Sequence, residues 1–162
     1  MDKALHARQL ADSRGFGCLS TLSARHPGFP FASIAEFATD EEGQPVFLFS
    51  GLAIHTKNLA ADPRASLIVF AADAEQDTLS AARLTLMGNV QRLDDDAPGT
   101  AAVRDRYLAR HPQAAQWVDF GDFAFYRLEV SDVYWVGGFG QMGWVSPMEF
   151  RSLASAKAAP QA

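Results

Sequence analysis

Six or seven β-forming runs, several joined by links too short for a parallel crossover, constrain this chain more than any other feature. The runs are Phe16-Gly-Cys-Leu-Ser-Thr-Leu-Ser23, Phe31 to Thr39, Pro45-Val-Phe-Leu-Phe-Ser50, Ala65 to Ala71, Arg83 to Leu93, Phe123 to Val130 and Val133 to Gly137. The early links, Arg25-His-Pro-Gly-Phe-Pro30 and Asp40-Glu-Glu-Gly43, are rich in turn formers. Strands joined this tightly pair antiparallel, because a parallel crossover takes about a dozen residues or more. Arg83 to Leu93 alternates, with Leu84, Leu86 and Val90 facing one way and Arg83, Thr85 and Asn89 the other. Other runs alternate imperfectly, as expected where both sheet faces are covered.

Helical patterns are few. They fall at residues 3–14, at about 53–61 before Asp62-Pro63, and from Pro98 to His111-Pro112 with Val103, Tyr107 and Leu108 inward. A further short piece holds Ala114, Ala115 and Trp117. The Gly137-Gly-Phe-Gly140 segment reads as a break. The pattern predicts a mainly β protein with a few helices, built as an antiparallel barrel. At 162 residues one domain is expected, over residues 1–150. Residues 151–162, dominated by Ser, Ala, Lys, Pro and Gln, are expected to be a disordered tail.

Fourteen Lys and Arg stand against 19 Asp and Glu, a net charge of −5. A nucleic-acid partner is therefore not expected, since a basic surface supplies most of that affinity. A membrane partner is not expected either: the longest apolar stretch, Ser66 to Ala72, is far short of the ~20 residues a span needs. The start of the chain has no apolar run, so no signal peptide is expected. A lone cysteine, Cys18, cannot form an internal disulfide and suits a reducing compartment. The expected location is the cytoplasm.

The four histidines, His6, His26, His55 and His111, show no metal-ligand spacing, and no metal site is expected. No nucleophile elbow or P-loop is present. Asp94-Asp-Asp96 reads as a solvated turn before a helix rather than a cation site. Ser50-Gly-Leu-Ala-Ile-His-Thr-Lys-Asn58 is richer. It leaves a strand and enters a helix, a junction that offers free backbone N–H groups and a positive dipole end to a phosphate. Ser50, His55, Thr56, Lys57 and Asn58 add hydroxyl, imidazole, amide and ammonium donors. Local chemistry alone leaves an ordinary capped helix as an equal reading. Arg83 reads either as a further phosphate contact or as a strand-edge surface cation.

Three stretches make the sequence resemble a known family. They are Gly17 to Ser23 with Gly28-Phe-Pro30 and Ser33; Phe49 to Leu59 with Asp62-Pro-Arg-Ala-Ser66; and Arg83-Leu-Thr-Leu-Met-Gly88 with Val136-Gly-Gly-Phe-Gly140. In this order they resemble the pyridoxamine-phosphate-oxidase-like, FMN-binding split barrels, in the branch that includes haem-utilisation proteins. The resemblance implies a homodimer with flavin mononucleotide (FMN) at the subunit interface. It assigns the phosphate to Ser50, His55, Thr56, Lys57 and Asn58, helped by Arg83. It places Thr21 and Leu52 near the flavin ring, with Trp144 and the Gly-rich turn approaching from the C-terminal region. The paired Arg-Lys signature of the true oxidases is missing, so vitamin B6 oxidation is not expected. The additional C-terminal domain of longer haem-utilisation relatives is missing too, which puts haem behind FMN. The leading expectation is an FMN-dependent oxidoreductase with a small-molecule substrate or electron donor. Alternatives are a non-catalytic FMN or haem carrier, and a cofactor-free dimeric scaffold.

Overall fold

In the computed structural model, which describes residues 2–153, one antiparallel sheet curls into a half-barrel flanked by four helices. In chain order these are α1 (Lys3–Ser13), β1 (Phe16–Leu22), β2 (Pro30–Glu36), β3 (Ala38–Thr39), β4 (Pro45–Ser50), α2 (Ile54–Ala61), β5 (Arg64–Phe70), β6 (Arg83–Arg92), α3 (Thr100–Arg110), β7 (Phe123–Val136), β8 (Met142–Val145) and α4 (Pro147–Ser152). A 3-10 turn at Pro112–Gln116 follows α3. The sheet order is β2-β1-β5-β6-β7-β4-β3, and β8 adds to β7.

Two cores explain the imperfect alternation. Within the curl, Leu19, Phe47, Phe49, Leu67, Leu84, Leu86, Leu128 and Trp135 pack against Ala7, Leu10 and Ala11 of α1. On the outside of β4 and β7, Val46, Leu48 and Phe125 pack against Val103 and Tyr107 of α3. β4 is thus buried on both faces and shows no polar alternation.

Four boundaries differ from the sequence reading. The run Phe31 to Thr39 is two strands, because Phe37 turns fully inward and donates its N–H to the Gly15 carbonyl. The runs Phe123 to Val130 and Val133 to Gly137 are one strand: the polar Ser131 is the extra residue of a bulge, with Met87 opposite Asp132 and Gly88 opposite Val130. Gly88 is required there, since a Cβ would lie 1.9 Å from the Glu129 carbonyl oxygen. The Gly137 to Gly140 segment is a hairpin turn rather than a break. Gly138 and Gly140 take positive φ, and Gly137 N–H bonds the Gln141 carbonyl at 2.7 Å, which returns the chain as β8. Finally, Arg151 and Ser152, expected in a disordered tail, close α4. Arg151 donates to the Val130 carbonyl, and Arg8 holds the Phe150 and Leu153 carbonyls. The rest of that tail, 154–162, lies outside the described residues.

Among the described residues, no helix is long and apolar enough to cross a membrane.

Candidate functional site

The turn from β4 into α2 begins as a hydrogen-bonded knot. Ser50 Oγ donates to a carboxylate oxygen of Asp122 at 2.7 Å and accepts from Leu52 N–H at 3.1 Å. Gly51 N–H donates to the Asp122 carbonyl at 2.7 Å. Ser50 is therefore engaged with an acidic neighbour 72 residues away, rather than free for an anion.

α2 then starts with Ala53 at its N-cap, where no side chain caps the first turn. The N–H groups of Ile54, His55 and Thr56 come too early in the helix for an intrahelical acceptor. Beside them two buried polar atoms have no partner, Thr56 Oγ1 and His55 Nε2. Thr56 is only 7% exposed. A buried polar group without a hydrogen bond costs about 1–3 kcal/mol, so this turn invites an oxygen-bearing group. Lys57 is exposed next to it and supplies a positive charge.

His55 packs at a tilt against Phe49 with centroids 4.3 Å apart, and its Nδ1 lies 3.4 Å from Ser33 Oγ of β2. Burial lowers its pKa below the ordinary 6.5, so the ring is neutral at pH 7. On acidification the unfolded chain takes up this proton before the folded one does. Stability present above about pH 6.5 is therefore lost as pH falls toward the lower folded value. The melting temperature is expected to drop over that window and to drop less in His55→Gln. Equal slopes for the two proteins would refute it.

Asn58 and Thr21 point to each other. The Asn58 amide donates to Thr21 Oγ1 at 3.0 Å and accepts from Ala24 N–H at 2.9 Å, and both side chains are buried. The pair pins α2 to the end of β1. Leu52 is exposed at the turn.

Arg83 and Trp144 lie elsewhere. Arg83 pairs with Val136, and its Nη1 reaches the Thr78, Leu79 and Ala81 carbonyls. Trp144 pairs with Tyr134 and rests edge-on against its ring, 65% exposed. Ser50 pairs with Phe123, at the other end of β7. At ~3.3 Å per residue the two ends of that strand are roughly 43 Å apart along its path. One protomer thus assembles Ser50 to Asn58 with Thr21, and leaves Arg83 and Trp144 at the far end.

Asp122 escaped the sequence reading, and Ser33 entered it only as part of a family resemblance without a site role, because each arrives from a distant strand or loop. A groove of about 470 Å³ on the outer face of β1, β5 and β6 was also not foreseen. It is lined by Ser20, Leu22, Ser66, Met87 and Asn89, and Thr21 alone of the predicted residues reaches it. Among the described residues, no three His, Cys, Asp or Glu side chains cluster as a metal site.

The curled sheet, together with the family and relatives it matches, makes this a split-barrel protein of the pyridoxamine-phosphate-oxidase-like class. Within it, the model of the CREG β-barrel family matches residues 1–152, and the chain belongs to that family. The chain is 45% identical over 122 residues to the chloroplastic non-canonical haem oxygenase HOZ of Arabidopsis thaliana, covering 75% of this chain and 36% of that one. It is 31% identical over 138 residues to the haem oxygenase HutZ of Vibrio cholerae, covering 79% of this chain and 72% of HutZ. A solved haem-binding protein from Mycobacterium smegmatis superposes with a TM-score of 0.86 at 36% identity, covering 94% of this chain and 61% of that chain. The chain therefore spans about a third of HOZ and under two thirds of the mycobacterial protein.

Proposed function

We propose that this chain binds haem, as a homodimer, and supports the oxidative breakdown of haem for which its oxygenase-named relatives are called. What carries the reading is the likeness to HOZ and to the mycobacterial haem-binding protein, at 45% and 36% identity. It reverses the order expected from sequence, where FMN came first.

The residues fit a flat cofactor with an oxyanion arm. The open first turn of α2, Thr56 Oγ1 and Lys57 would take a carboxylate, and the neutral His55 offers a ring nitrogen as donor or ligand. Asp122 beside Ser50 opposes a dianionic phosphate more than a monoanionic propionate, which also favours haem. Bound haem would supply redox chemistry at its iron. The chain's part is to anchor the anionic edge and to shield the ring behind apolar side chains.

The placement of the parts supports the dimer reading. β2 is an edge strand, and Phe29 and Phe31 at its start are exposed, an end of the edge that invites pairing or cover. Arg83 and Trp144 would complete a site at the α2 turn only from a second protomer.

FMN remains the second reading, because free helical N–H groups, Thr56 and Lys57 also suit a phosphate. Titrating the purified protein with haem and, separately, with FMN tests both. A saturable Soret band that fades with ascorbate and oxygen is the expected result. FMN fluorescence quenched at one site, with no saturable haem band, would overturn the haem reading.

A further inference from the structure

At the far end of β1 from the α2 turn, α1 and α3 meet the sheet around a second groove of about 480 Å³. That is within the ~300–1,000 Å³ of small-molecule sites. Its walls are Phe16 and Ile34, large apolar residues that are 40% and 67% exposed. Its cations are Arg14 and Arg110.

Arg14 is unusually idle. Its guanidinium lies over the Phe16 ring, 5.8 Å from the centroid, and makes no hydrogen bond or ion pair among the described residues. Its Nε is shielded from solvent with no acceptor. A guanidinium in this state has most of its donor fork free for a carboxylate. Arg110 donates to the Ser13 carbonyl and has no carboxylate within 4.0 Å among the described residues. Gly15 clears the floor between them: a Cβ there would come within 3.2 Å of Arg110 Nε and of the His111 ring. The one acidic lining residue, Glu36, sits 4.0 Å from His111 Nδ1 and pairs with neither arginine. In a chain of net charge −5, two arginines facing one carboxylate make this groove locally positive.

We infer that this groove binds a carboxylate carried on a flat apolar body, with Arg14 and Arg110 gripping the carboxylate and Phe16 and Ile34 covering the body. The apolar walls exclude a bare inorganic anion as the best fit, and the paired arginines exclude a neutral aromatic. The site stands apart from the α2 turn and does not depend on the haem reading.

The test is a fluorescence titration of the whole chain with 2-naphthoate, using 2-naphthamide as the neutral control. Naphthoate is expected to bind and the amide to bind about tenfold more weakly, the difference one charge-assisted contact makes. Arg14→Gln should weaken naphthoate about tenfold with little change in melting temperature, because among the described residues Arg14 makes no hydrogen bond or ion pair and lies over the Phe16 ring. Arg14→Lys should recover part of the loss. A haem competition identifies the source of the carboxylate. Haem that displaces naphthoate, and that Arg14→Gln weakens, assigns the groove to a propionate arm. Haem that leaves naphthoate in place assigns it to a separate aromatic carboxylate. Naphthoate that fails to bind, or that binds Arg14→Gln as tightly as the parent, overturns the site.

Discussion

Replacing Arg8 with alanine is expected to lower the stability of the fold by about 3–5 kcal/mol, the range seen when one partner of a buried ion pair is removed. Arg8 is only 1% exposed, yet its guanidinium joins three parts of the chain. Nε pairs with Asp12 at 3.1 Å, Nη1 holds the Phe150 and Leu153 carbonyls, and Nη2 holds the Glu41 carbonyl at 2.7 Å. The side chain also lies 5.8 Å from the Phe150 ring centroid. Its removal takes one cation from beside the largely buried Asp12 and strips three carbonyls of their donor. At ~2–4 °C per kcal/mol for a chain of this size, the melting temperature should fall by roughly 6–20 °C. Urea unfolding of Arg8→Ala and of the double variant Arg8→Met with Asp12→Leu separates charge from packing. The double variant should recover the part of the loss that comes from buried charge, but not the part it adds by removing the acceptor of the Thr39 hydroxyl, 2.7 Å from Asp12. A single variant within 1 kcal/mol of the parent would show that the clasp adds nothing.

Most of the strands were legible because alternation is a local property. Leu84, Leu86 and Val90 are buried as their spacing predicts, and the Pro45 to Ser50 run is buried on both faces as its unbroken apolar character suggests. What stayed hidden depends on partners distant in sequence. The bulge at Ser131 exists because Gly88 lets the Glu129 backbone come close, and no window around Ser131 records that. β8 needed the Gly-rich segment to be read as a hairpin turn, which its alternation with flanking apolar residues permits.

The site divides the same way. His55, Thr56 and Lys57 are adjacent in sequence, so their gathering on one helical turn was legible. The destinations of Ser50, Asn58 and Thr21 were not. Each is polar and fits a ligand list, but Asn58 and Thr21 bond each other, and Ser50 bonds Asp122. A polar residue near a site is satisfied by whichever partner the fold brings first, and the sequence does not name that partner.

The double substitution Thr56→Val with Lys57→Ala is expected to weaken cofactor binding by about 30–100-fold, while the cofactor-free protein keeps or gains stability. The two residues act through different physics. Lys57 is exposed, so its charge contributes through one charge-assisted hydrogen bond of about 1.5–3 kcal/mol, toward the lower end in solvent. Thr56 is buried, and its hydroxyl has no partner within the chain. A bond from that hydroxyl to a bound oxyanion adds about 1 kcal/mol. At ~1.4 kcal/mol per tenfold, the sum gives the stated loss. Valine has the shape of threonine without the unpaired oxygen, so it relieves a buried polar penalty in the free protein. Affinity and stability should therefore move in opposite directions, which a residue needed only for folding does not produce. Haem titration followed by thermal melts of the cofactor-free proteins reads both. A variant that loses affinity and stability together would make Thr56 a packing residue. A variant that keeps full affinity would remove the α2 turn from the site and leave the second protomer, or the groove beside Arg14, as the place where the anion is held.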